Sequence, residues 1–147
     1  MENSWTTREA LASDAELIAV HACHRPEDEG RRAGYAEWLG PRIGSGRYLG
    51  LLATHEEVVV GGAGVVLLDW GPTRANPGGR MGRVANVFTA PAWRRQGIAR
   101  SLLGRLLTHC EALGVHEFNL GTTPEARSLY RSLGFIDYAA EMRRRRG

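Results

Sequence analysis

At 147 residues the chain suits one domain with a real hydrophobic core. Hydrophobic residues make up 43% and charged residues 24%, as in an ordinary globular protein, and no apolar run approaches the roughly 20 residues that a helix needs to span a bilayer. The formal charge is +3, every basic residue is arginine, and the run Arg143-Arg144-Arg145-Arg146 supplies the positive balance.

The elements follow in chain order. Residues 4–8 read as a first strand. Ser13 with Glu16 three residues on has the form of a capping box, and the helix that follows carries Ala15, Leu17, Ile18, His21 and Ala22 before stopping near His24 and Pro26. Residues 32–39 form a short second helix with Tyr35 and Trp38 on one side, ended or interrupted at Gly40-Pro41. Residues 48–54 and 58–70 make a hairpin with His55-Glu56-Glu57 as its turn. Gly61, Gly62 and Gly64 inside its second strand point to a bulge or to close packing. Residues 71–82 read as a loop and 83–89 as the fourth strand. Ile98, Leu102, Leu103, Leu106, Leu107, Cys110 and Leu113 then recur at helical spacing up to Gly114. Residues 117–120 make a fifth strand, a helix runs from Pro124 or Glu125 to Leu133, and a last strand begins at Phe135 and extends towards Met142. A helix between the fourth and fifth strands makes that pair parallel, while the hairpin is antiparallel. The expected class is α/β (α+β), one domain over 1–147 with a basic tail at 143–147: a mixed, mostly antiparallel sheet with helices on both faces.

The opening of the 98–113 helix carries the chemistry. Strand 83–89 passes through Arg94-Arg95-Gln96-Gly97 into that helix. The first N–H groups of a helix lack intrahelical partners, the dipole adds positive charge, and Gly97 puts no Cβ in the way, so the turn suits a pyrophosphate.

Arg94-Arg95-Gln96-Gly97-Ile98-Ala99 resembles the acetyl-CoA signature of the GCN5-related N-acetyltransferases, and Ala126-Arg127-Ser128-Leu129-Tyr130-Arg131-Ser132-Leu133-Gly134-Phe135 resembles that family's Ala-x-x-Leu-Tyr-x-x-x-Gly-Phe segment. The resemblance covers about 83–137. It implies a six- to seven-stranded sheet with about four helices, splayed between strands 4 and 5 to admit the cofactor. It also implies an acyltransferase that carries acetyl from acetyl-CoA to a primary amine by direct attack in a ternary complex. Arg94, Arg95, Gln96, Gly97, Ile98, Ala99 and Arg100 would then hold the pyrophosphate. The backbone N–H of Val87 or Phe88 would face the thioester carbonyl, the main chain at Thr89 would pair with pantetheine, and Tyr130 would protonate the leaving thiolate.

Two positions depart from the family pattern. Thr123 stands where many relatives have an asparagine that contacts the cofactor, and Arg83 stands where some have a glutamate base. An arginine cannot serve as a base. Asn86 is the candidate to orient a water instead, with Asp69, Glu27, Asp28, Glu29, His21 and His24 as looser candidates.

The acceptor, a small-molecule or peptide amine, would meet Tyr35, Trp38, Asp69, Trp70 and the 71–82 loop, and Glu27-Asp28-Glu29 would attract a cationic amine. No metal is expected: His21-Ala22-Cys23-His24 matches no standard zinc spacing, and Cys110 falls on the buried helix face. No signal peptide is visible in Met1-Glu2-Asn3-Ser4-Trp5, which leaves a cytoplasmic location by default and no membrane partner. The reading from another class is a non-catalytic module, either an acyl-CoA sensor or a nucleic-acid binder using the terminal arginines; no recognition motif stands beside them. A homodimer is compatible with the chain, and nothing in the sequence locates an interface.

Overall fold

The computed structural model describes residues 4–147; the reading of Met1, Glu2 and Asn3 as no part of a signal peptide lies outside the described residues. Five strands form one mixed sheet in the order β1-β2-β3-β4-β5. These are β1 (Thr6–Glu9), β2 (Tyr48–His55), β3 (Val58–Asp69), β4 (Arg80–Thr89) and β5 (Glu117–Asn119). The helices are α1 (Ala15–Ala22), α2 (Arg32–Gly44), α3 (Ile98–Ala112) and α4 (Arg127–Ser132). The first four strands pair antiparallel and β4 with β5 parallel, as the crossover through α3 requires.

Two cores lie on the two faces of this sheet. One joins Val60, Val65 and Val84 to the buried face of α3, with Tyr130, Leu133 and Phe135 packed on it. Ile98, Leu102, Leu103, Leu106, Leu107 and Cys110 all point inward, so α3 is held by apolar burial at about 1.5–3 kcal/mol for each large side chain. The other core joins Ile18 of α1 and Leu39 of α2 to Tyr48 and Leu52, with Phe88 and Tyr35 at its border. No helix is long and apolar enough to cross a membrane among the described residues.

Several local expectations are corrected. The first helix is preceded by a 3₁₀ turn over Ala12–Asp14, and the carboxylate that reaches back is Asp14, not Glu16. Its Oδ2 accepts from Leu11 N–H at 2.7 Å and its two oxygens clasp Arg8 at 2.8 and 2.9 Å. The second helix runs on through Pro41 to Gly44. The proline removes the one N–H that would have reached the Glu37 carbonyl. Leu39 and Ile43 still pack against the core, and the Arg42 guanidinium bonds the Trp38 carbonyl at 2.7 Å while lying over its ring. Strand β4 starts at Arg80 instead of 83, taking in the end of the supposed loop, because Gly82 lets Phe118 and Val65 close over the backbone. The hairpin turn holds two residues, Glu56 and Glu57, both at positive φ. The expected bulge is present in β3–β4, where pairing shifts between Gly62 and Gly64.

No strand forms after Phe135, so among the described residues the sheet has five strands and not six or seven. Phe135 N–H closes α4 on the Tyr130 carbonyl, and Asp137 is drawn back to α4 by Arg127 and Arg131 at 2.8 and 3.1 Å. The chain therefore curls over α4 instead of running along the short edge of β5.

Candidate active site

Strands β4 and β5 pair only at Met81–Glu117, Gly82–Phe118 and Arg83–Asn119. Beyond Arg83, β4 continues to Thr89 with no strand partner on that edge among the described residues. This is the expected splay. The direction of the free groups follows from strand geometry. Ala90 N–H bonds the Val60 carbonyl at 2.8 Å, and Phe88 pairs with Gly62. Main-chain groups alternate between the two edges of a strand. The N–H groups of Val87 and Thr89 therefore face the open edge, and that of Phe88 faces β3. The Thr89 carbonyl on this edge accepts from Arg94 Nε at 3.3 Å.

The open edge leads into the arginine turn. Arg95 and Gly97 both adopt positive φ, 64° and 78°, which swings the chain from β4 into α3. Ser101 N–H is the first to bond, to the Gly97 carbonyl at 3.0 Å. The N–H groups of Ile98, Ala99 and Arg100 precede it and have no intrahelical partner. A Cβ on Gly97 would meet nothing within 4 Å, so the turn is open on its outer side. Arg94, Arg95, Gln96 and Arg100 are exposed around it. A groove of about 830 Å³ continues along α3 past Arg100, Ser101, Gly104 and Arg105 to Leu133.

Tyr130 lies half-buried on α4 with its ring edge-on to Phe135 at 6.0 Å, and burial raises its pKa. It lines a cavity of about 1020 Å³ together with Arg83, Asn119, Gly121 and Thr122. Arg83 donates to Asn119 Oδ1 at 3.1 Å across the last β4–β5 pair. Thr123 opens the 3₁₀ turn Pro124–Ala126 with its carbonyl accepting from Ala126 N–H at 3.1 Å; its side chain makes no capping bond.

The suspects on the opposite face divide. Tyr35 reaches β4, where its hydroxyl meets Asn86, and Trp38 packs beside Tyr35 at 5.6 Å. Asp69 pairs with Arg80 at the other end of β4, so Asp69 and Trp70 stand roughly 20 Å from Val87 at ~3.3 Å per strand residue. Glu27, Asp28 and Glu29 form a 3₁₀ turn in which Asp28 is bonded to Arg31 at 2.9 Å. Of the loose base candidates, His21 is brought to β4: its ring stacks on Phe88 at 3.6 Å and 9°. Burial, then the neighbouring His24, lowers its pKa. The position that the sequence reading missed is Tyr48, buried at 2% exposure, whose hydroxyl accepts from Asn86 Nδ2 at 3.1 Å. Its signal was Gly64, which Tyr48 overlies. Cys23 and Cys110 are free and buried.

Residues 9–135 match the Acetyltransferase (GNAT) family. The chain belongs to that family. Its fold is shared with a predicted acetyltransferase from Clostridium acetobutylicum solved with acetyl-CoA, at a TM-score of 0.88 and 22% identity over 97% of this chain and 96% of that one. A GCN5-related N-acetyltransferase from Ralstonia eutropha JMP134 gives a TM-score of 0.87 and 22% identity over 98% and 100%. In sequence, the chain is 30% identical over 64 residues to glucosamine 6-phosphate N-acetyltransferase 1 of Oryza sativa subsp. japonica. That match spans 44% of this chain and 39% of the rice protein's length.

Proposed function

We propose that this acetyltransferase is acetyl-CoA-dependent and acetylates a primary amine by direct attack in a ternary complex. The observation that carries the reading is the continuity of unpaired main-chain donors. They run from Val87 and Thr89 on the free edge of β4 to Ile98, Ala99 and Arg100 at the start of α3. The residues fit the cofactor: the edge offers extended-chain hydrogen bonds to an amide-bearing arm, and the turn offers N–H groups and arginines to a diphosphate. Acetyl-CoA supplies an acetyl group already activated as a thioester.

The chain's own groups do the remaining work. Arg94, Arg95, Gln96, Gly97, Ile98, Ala99 and Arg100 hold the diphosphate, with Thr123 a lesser contact. Val87 N–H is the donor for the carbonyl oxygen, a role worth about 3 kcal/mol where one such donor has been removed. Tyr130, a phenol that is protonated at neutral pH and whose pKa burial raises further, can pass its Oη proton to the departing sulfur. Burial lowers the His21 pKa, which favours the neutral ring, so it can accept the proton the amine loses as the C–N bond forms and the C–S bond breaks. Arg83 cannot take that role and leaves it to another group. For the acceptor, the rice relative's name makes an amino sugar phosphate the first compound to try, ahead of other small amines and peptides.

Purified protein given acetyl-CoA and a panel of amines should release free thiol. Tyr130→Phe should lower kcat by about a hundredfold or more with little change in cofactor affinity. Calorimetry that finds no affinity for coenzyme A or acetyl-CoA in the folded wild-type protein removes the reading. Binding without turnover on any amine makes the protein an acyl-CoA sensor.

A further inference from the structure

Asn86 lies in the sheet at φ 58°, in the left-handed region, next to Val87. Pairing between β3 and β4 slips at this point, from Gly62–Phe88 to Gly64–Ala85. Such a conformation costs an L-residue about 1–2 kcal/mol, somewhat less for asparagine. It therefore needs something to hold it. The side chain supplies the hold. Asn86 Nδ2 donates to the Tyr35 hydroxyl at 2.9 Å and to the Tyr48 hydroxyl at 3.1 Å, and Tyr35 Oη lies 3.2 Å from Oδ1. Tyr35 comes from α2 and Tyr48 from β2, so three separate elements meet on one carboxamide.

Tyr48 reaches that point only because two glycines clear its path. A Cβ on Gly64 would overlap its phenol, and one on Gly50 would stand 3.0 Å from its ring. The same bend sets the next peptide. After Asn86 the alternation resumes, with Phe88 paired to β3 and Val87 turned to the open edge.

We propose that Asn86, Tyr48 and Tyr35 are positioning residues: the two phenols lock the Asn86 side chain, the lock holds the left-handed bend, and the bend aims Val87 N–H at the carbonyl oxygen of the acyl donor. This replaces a water-orienting role for Asn86, whose amide donors are already engaged by the phenols. The inference rests on the acetyltransferase reading above and names the device that sets its carbonyl donor. A misplacement of about 1 Å at such a donor costs up to roughly a hundredfold in rate.

The test uses the whole chain. Wild-type protein is first titrated with acetyl-CoA by calorimetry, and the carbonyl stretch of carbonyl-labelled acetyl-CoA is recorded free and bound by difference infrared spectroscopy. No binding there defeats the acetyltransferase reading, and this inference falls with it. With binding, Tyr48→Phe and Asn86→Gly are compared with Asn86→Asp. Glycine accepts the backbone angle without the anchor, while aspartate keeps an acceptor for both phenols. We expect Tyr48→Phe and Asn86→Gly to move the bound carbonyl band towards its free position and to lower kcat about ten- to a hundredfold, with the acetyl-CoA Kd changed less than about threefold. Asn86→Asp should restore most of both. Should Tyr48→Phe fail to fold, Tyr35→Phe carries the same comparison. An unmoved carbonyl band and an unchanged kcat in variants that fold and bind overturn the inference, while the acetyltransferase reading stands.

Discussion

The phenol of Tyr48 fills the space that a side chain on Gly64 would occupy. Gly64 pairs with Gly50 across β2 and β3, and Tyr48 crosses diagonally over that pair towards β4. The absence of two side chains thus makes a slot through the sheet's inner face, and a buried hydroxyl uses it to reach a polar partner.

Gly64→Ala should therefore be costly although it adds a single methyl group. Tyr48 is enclosed and cannot move aside without breaking its bond to Asn86. A loss of about 1–3 kcal/mol in urea unfolding is expected, as for other overpacked cores. Gly44→Ala, at the end of α2 with nothing within 4 Å, is the control and should leave stability unchanged or slightly raised.

Gly97→Ala tests the turn by a different route. There is open space for the methyl group, so no clash arises; the penalty is the positive φ of 78°. A stability loss near 1 kcal/mol is expected, with acetyl-CoA affinity reduced several-fold by calorimetry as the α3 N–H groups shift. Gly97→Asn, which tolerates the left-handed region better, should recover part of both.

His21 should write its own limb into the pH profile. Its folded pKa is lowered from 6.5, so it stays neutral to a lower pH than a free imidazole. Acetylation rate should fall only as pH drops through that lowered value, and His21→Gln should lose the limb. The sign for stability is the same. Below 6.5 the unfolded chain takes a proton that the folded chain refuses, so stability falls with pH there, and less steeply in His21→Gln.

Alkaline conditions should weaken the fold through buried acids. Burial pushes the Cys110 thiol up to about 11 and raises Tyr35, Tyr48 and Tyr130 above the ordinary tyrosine value of 10. An unfolded chain would release these protons first, from about pH 8.5 for the thiol. The contribution is complete below that pH and is lost as pH rises towards the folded values. The urea midpoint should be lower at pH 10 than at pH 7, and Tyr48→Phe should narrow the difference.

Legibility in the sequence tracked how local each cause was. The α3 stripe from Ile98 to Cys110 was plain because six inward positions share one helical period. The crossover made β4 and β5 parallel, and Gly61, Gly62 and Gly64 pointed to a bulge or close packing, both of which are present. Pro41 misled because helix continuation there depends on Leu39 and Ile43 packing against the core, a tertiary force that outweighs one lost hydrogen bond. The segment after Phe135 misled in the other direction. Its residues suit a strand, but Arg127 and Arg131 hold Asp137 against α4. The Ser13 and Glu16 pattern lost to Asp14, whose carboxylate could serve Leu11 and Arg8 together.

For the site, the backbone turn was written in consecutive letters, since the main-chain groups proposed to hold the diphosphate lie within Arg94 to Arg100 and any such turn exposes them. Helix periods, turn glycines and the order of elements were likewise determined along the chain, because each depends on neighbours a few residues away. Which side chains meet at β4 was decided only by folding. Tyr35, Tyr48 and Asn86 lie up to 51 positions apart, His21 reaches Phe88 across the sheet face, and no local spacing encodes either meeting. Packing of α1 and α2 on the sheet brings them together, and the left-handed Asn86 sits where they meet.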